Sequence, residues 1–92
     1  MKFIFEQTKQ GNWHFKLNCN NQNVYHHNSI AIFLDIDKNE FTNIIIQYNG
    51  IRGYEINPYL CYDDYFYFKT FEQRLEFEEK MEPYLVMARL MR

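Results

Sequence analysis

His14, His26, His27, Cys19, Cys61 and the adjacent acids Asp63-Asp64 are the residue types from which a metal site, a thiol nucleophile or an acid–base pair is built. Their spacing supports none of these. Read as strand residues, His26 and His27 point to opposite faces and do not converge on one ion. His14 and Cys19 are of opposite parity in the same run, so they diverge too. Cys19 falls on the apolar face of that run, where a thiol acts as a small buried hydrophobe. Two neighbouring acids without a positioned base define no proton-transfer site. The three glycines, Gly11, Gly50 and Gly53, are too scattered for a phosphate-cradling loop. The expectation is a chain without catalytic, metal or cofactor residues.

What remains is surface chemistry, and one stretch holds much of it. Residues 61–71 read CYDDYFYFKTF. With alternate residues on alternate faces, Phe66 and Phe68 point one way and Tyr65, Tyr67 and Lys69 the other. Burying each phenylalanine is worth roughly 2–3 kcal/mol, so the phenylalanines set the register. Tyr62, Asp63, Asp64, Tyr65 and Tyr67 are then left for contact with a partner, tyrosine being a large rigid group with a polar end. A second surface lies just beyond. Glu72, Glu76 and Glu79 fall at i, i+4 and i+7 and line one ridge of a helix. Lys80 is placed to answer Glu76, and Arg74 to answer Glu78. The plainer reading of both surfaces is an ordinary sheet exterior and a solvated helix face.

The elements that position these groups follow from periodicity. Lys2 to Glu6 alternates, with Phe3 and Phe5 on one face. Trp13–Cys19 is the clearest strand, with Trp13, Phe15, Leu17 and Cys19 opposite His14, Lys16 and Asn18. After the polar loop 20–23, Val24 to His27 reads as a short edge strand. Ser29 to Asp37 reads as a longer one, with Ile30, Ile32, Leu34 and Ile36 on one face. Residues 37–40 make a hairpin loop, and Phe41 to Tyr48 returns as a strand rich in β-branched residues. Asn49-Gly50 suits a two-residue hairpin. Ile51 to Ile56 follows, with Gly53 marking a bulge or close packing, and Asn57-Pro58 ends it. From Phe71 the period changes to that of a helix. Thr70 is its N-cap, Gln73 completes a capping box, and Pro83 is expected to kink or break it. The fold class is therefore α+β: an antiparallel β-meander of about five to six strands, one domain over 1–92, with the C-terminal helix on one face.

Composition sets the function classes. Nine Phe, eight Tyr and one Trp let 92 residues bury a core without disulfide or metal staples. Two cysteines make no framework, and free thiols suit a reducing, cytoplasmic setting. The apolar run near the N-terminus is too short for a signal peptide or a membrane span. All but one of the twelve acids lie between Asp35 and Glu82, and no basic cluster exists. Charge thus disfavours direct nucleic-acid binding. Half of the residues are Phe, Tyr, Met, Ile, Asn or Lys, whose codons are A/T-rich, as in many phages, mobile elements and low-GC bacteria. Together these features suggest a small non-enzymatic protein that binds and inhibits a host macromolecule. An anti-CRISPR-type inhibitor of a nucleic-acid-binding defence nuclease has this general character. The alternatives are a single-strand nucleic-acid binder stacking bases on Tyr65, Tyr67 and Trp13, and a small oligomeric enzyme or subunit. A homodimer is compatible with the open edges of a meander.

Overall fold

The computed structural model describes residues 1–56 and 62–91. The chain order is β1 (Lys2–Gln7), β2 (Trp13–Cys19), β3 (Gln22–Val24), α1 (His27–Leu34), α2 (Lys38–Gln47), β4 (Ile51–Ile56), β5 (Tyr62–Phe68) and α3 (Phe71–Leu90). The α+β class holds, with a five-stranded antiparallel sheet and α3 packed against it. Cys61 and Asn57-Pro58 lie outside the described residues.

The sheet is built from hairpins rather than one continuous meander. β1 pairs along the length of β2, from Lys2↔Asn18 to Gln7↔Trp13. Asn20 and Asn21 both take positive φ, at 51° and 65°, and join β2 to β3 as a tight two-residue turn. β4 and β5 form a second hairpin, in unbroken register from Ile51↔Tyr67 to Ile56↔Tyr62. That hairpin docks on β2 through two pairs only, Trp13↔Phe68 and His14↔Tyr67. β3 and β5 therefore share the edge of β2 that β1 leaves open.

The two central segments differ from the strand reading. Residues 29–37 and 41–48 contribute to helices α1 and α2, not to the sheet. The stretch 24–27 is likewise split: β3 ends at Val24, and His27 opens α1. Ile30, Ile32, Leu34 and Ile36 alternate on paper, but α1 buries His27, Ile30, Ala31 and Leu34 and leaves Ile32 77% exposed. The burial period is helical. Local chemistry agrees: the His26 ring accepts from Asn28 N–H, and Asp37 Oδ1 accepts from Asn39 and Glu40 N–H at 2.9 and 3.2 Å. These are N-caps, at His26 where an edge strand was expected and at Asp37 where a hairpin loop was expected.

Asn49-Gly50 ends α2 instead of joining two strands. Asn49 is left-handed (φ 71°) and donates its N–H to Ile46 O, while Gly50 N–H reaches Ile45 O at 2.8 Å. This pair of bonds is a Schellman stop. A Cβ on Gly50 would lie 2.8 Å from the Ile45 carbonyl oxygen, so only glycine fits. α1 stops in the same way at Asp35 (φ 55°), with Ile36 N–H bonded to Ala31 O.

All three helices cover one face of the sheet. Phe3, Phe15, Leu17, Phe66 and Phe68 meet Ile30, Leu34, Phe41, Ile45, Phe77, Met81 and Leu85 in a single core. Phe77 is its hub, with ring centroids 5.0–6.5 Å from Phe3, Phe5, Phe15, Phe41 and Phe68. α3 starts as the sequence suggests: Thr70 Oγ1 accepts from Gln73 N–H at 3.1 Å, and Gln73 reaches back to Lys69 N–H. It then runs unbroken through Pro83. Pro83 is exposed, so the carbonyl it leaves unbonded sits on the wet side of the helix. Its cost of about 3 kcal/mol is offset by Phe77, Met81 and Leu85, worth roughly 1.5–3 kcal/mol each. Among the described residues no helix is long and apolar enough to cross a membrane.

Candidate functional site

Because the helices all lie on one side, no helix among the described residues covers the other face of the sheet. β1 presents Ile4 and Glu6 there, β2 His14, Lys16 and Asn18, β4 Ile51 and Gly53, and β5 Tyr65 and Tyr67. The split of β5 matches the alternation of its sequence: Phe66 and Phe68 are buried, and Tyr65 and Tyr67 are half-buried on the open face.

These open-face groups form an ordered cluster. The His14 ring lies 4.7 Å from that of Tyr65 and 6.0 Å from that of Tyr67. Gly53 sits beneath Tyr65, and an added Cβ would fall 2.6 Å from Tyr65 Cζ. The glycine thus provides close packing, with the β4–β5 register intact across it. Beside the cluster, Lys16 pairs with Glu6 and lies 5.5 Å from the centre of the Tyr25 ring. The hydrogen bond that Lys16 donates to Glu6 does most to raise the Lys16 pKa, burial opposes it, and the Glu6 charge adds a lesser upward push. A cavity of about 170 Å³ lies between Ile4, Glu6, His14, Phe15, Lys16 and Tyr25. It opens where β2 passes from β5 to β3, at Phe15 and Lys16, which pair with neither.

Trp13, expected to join Tyr65 and Tyr67 as a stacking platform, is on the opposite face. Its ring meets Phe71 edge-on at 5.8 Å, and Arg74 lies over Trp13, Phe5 and Phe71. Its parity with Phe15 and Leu17 already carried that information. His14 takes the place beside the tyrosines. Only the long-range pairing of β2 with β5 brings it there, and no local pattern announces such a pairing.

The acidic ridge is a separate surface. At about 100° per residue, Glu72, Glu76 and Glu79 point roughly 180° away from the stripe of Phe77, Met81, Leu85 and Ala88 that α3 buries. They face away from the sheet, and all three are exposed. Arg74 reaches Glu78 at 3.5 Å as expected, and Arg89 reaches Glu82 at 3.5 Å. Lys80 does not pair with Glu76, and among the described residues none of the three ridge acids has an ion-pair partner. Tyr62, Asp63 and Asp64 belong to β5 by backbone register, and their side chains lie outside the described ones. The tyrosines and the ridge, the two candidate surfaces of the sequence, thus lie on opposite layers of the molecule.

His26 and His27 are stacked at the start of α1, ring centroids 4.5 Å apart, and His27 is packed edge-on against Phe66. Their helical setting replaces the strand geometry expected for them. Among the described residues no three His, Cys, Asp or Glu side chains are grouped to hold a metal ion. Cys19 is a buried free thiol. Comparison of the chain with protein-family models, curated proteins and solved structures finds no match.

Proposed function

We propose that this chain is a small non-enzymatic interaction protein that inhibits a macromolecular partner by laying the α3 ridge against a basic surface. One observation carries the reading. α3 pairs Glu78 with Arg74 and Glu82 with Arg89, yet holds Glu72, Glu76 and Glu79 in line and exposed, with no cation on them among the described residues. Like charges at this spacing cost an isolated helix a few tenths of a kcal/mol. A basic partner removes that cost and gains complementary charge. The rise of 1.5 Å per residue places a carboxylate about every 5 Å along the axis. Nucleic-acid strands carry backbone charge at a comparable density, roughly one per 3.4 Å. The partner class that fits is a nucleic-acid-binding protein, with a defence nuclease of the CRISPR type as the specific proposal.

The test is displacement of a labelled oligonucleotide from a panel of RNA-guided nucleases. The wild-type chain should displace it from at least one, and Glu72→Lys, Glu76→Lys, Glu79→Lys together should abolish displacement while leaving the melting temperature in place. Displacement that survives the triple reversal sinks the proposal.

The open face supports a second reading, as a stacking platform for single-stranded nucleic acid, because His14, Tyr65 and Tyr67 are grouped on it beside Lys16. Its mark would be a gel shift that weakens with salt and is lost in Tyr65→Ala/Tyr67→Ala.

A further inference from the structure

The outward seam of α3 continues beyond the acids. Glu72, Glu76, Glu79, Pro83, Val86 and Leu90 follow one another at alternating steps of four and three, and all are exposed. This is the spacing of a two-helix packing seam. Its first half is acidic and its second half apolar. Around the second half the apolar surface widens: Ile32 is 77% exposed, Val86 42%, Met87 58%, Leu90 78% and Met91 63%. Ile32 and Met91 line a shared groove with Phe33, Ala88 and, at its rim of charge, Asp35, so the α1 and α3 contributions adjoin.

We infer that this patch is a homodimer interface, in which the C-terminal half of α3 packs antiparallel against the same half of a second copy. The exposed apolar area selects that occupant. The five side chains expose on the order of 500 Å², near the upper end of a monomer's largest apolar patch and over half of the roughly 800 Å² each partner buries in a standard interface. The charge layout then selects the orientation. In a parallel pair, Glu72, Glu76 and Glu79 would face their own copies across the seam. In an antiparallel pair with its twofold axis near Val86 and Met87, only the apolar halves meet, and the acidic halves extend beyond each end. The same axis sets Pro83 opposite Leu90 of the other copy and brings Glu82 of each copy near Arg89 of the other. Such reciprocity is what a twofold interface requires. In the monomer Arg89 Nε and Nη2 donate to Met1 O at 3.1 and 2.6 Å, and Nη1 reaches Glu82 at 3.5 Å with both side chains about half exposed, so the Nη1 arm is the one that can exchange partners.

The experiment is sedimentation of the 92-residue chain from micromolar to submillimolar concentration. Its mass should rise from 11.4 kDa towards twice that value. Met87→Glu/Leu90→Glu should stay monomeric throughout, with an unchanged far-ultraviolet spectrum and melting temperature. Glu82→Arg and Arg89→Glu should each raise the dissociation constant roughly tenfold, and the double swap should restore it. A wild-type mass of one chain at the highest concentration overturns the inference. So does a dimer that tolerates Met87→Glu/Leu90→Glu. A dimer weakened by both single swaps but not rescued by the double swap overturns the antiparallel orientation. None of these outcomes depends on the ridge acids binding a partner.

Discussion

The two faces of the sheet are made of similar rings put to different uses. On the covered face Phe68 and Phe77 are wholly buried, and Phe77 touches five other phenylalanines. On the open face Tyr65 and Tyr67 stack on His14 and keep part of their surface in water. A hydroxyl on each ring separates the two groups, since burying it without a partner costs about 1–3 kcal/mol. The covered face therefore supplies stability, and the open face keeps its ring hydroxyls within reach of water.

Mutations can break that division, and Phe77→Ala should have the largest effect. It empties the hub of the core and should cost about 3–5 kcal/mol in urea unfolding. That is a large share of the roughly 5–10 kcal/mol that holds a domain of this size together. Gly50→Ala comes next, because the new methyl meets the Ile45 backbone as well as its side chain. A loss of about 1–3 kcal/mol is expected, at the stop of α2 and not in the core. Thr70→Ala removes the α3 cap and should cost about 1 kcal/mol. Tyr65→Ala should cost about 1 kcal/mol or less, and a loss as large as that of Phe77→Ala would erase the distinction between the faces. The smallest effect is that of pH on Lys16. Its folded pKa is raised, so its contribution is fully present below the ordinary value of 10.5 and fades as pH climbs through the folded one. An alkaline titration of the melting temperature should show that decline in the wild type and a shallower one in Lys16→Met.

β2 and β5 were legible because their apolar residues alternate without exception, from Trp13 to Cys19 and from Tyr65 to Phe68. Residues 30–36 misled because apolar residues recur there at both even and helical spacing. Ala31, small and ambiguous, was the helical signal, and in the structure it is buried while Ile32 is exposed. Asn49-Gly50 misled for a related reason: a hairpin turn and a Schellman stop both ask for a left-handed residue beside a glycine. In the candidate surfaces, the outward parity of Tyr65 and Tyr67 and the ridge of Glu72, Glu76 and Glu79 were readable, since each depends on one local element. Their placement on opposite layers, and the arrival of His14 beside the tyrosines, depend on strand order. That order is decided by contacts more than fifty residues apart, such as Trp13↔Phe68.

The two-pair join between β2 and the β4–β5 hairpin also bears on the order of assembly. β1, β2 and β3 close on neighbours nearby in the chain, whereas this join must wait for the long intervening segment that holds α1, α2 and β4 to be gathered in. The seam down the middle of the sheet is thus set to form late and open early. Amide protons around Tyr67 should exchange with solvent sooner than those between β1 and β2.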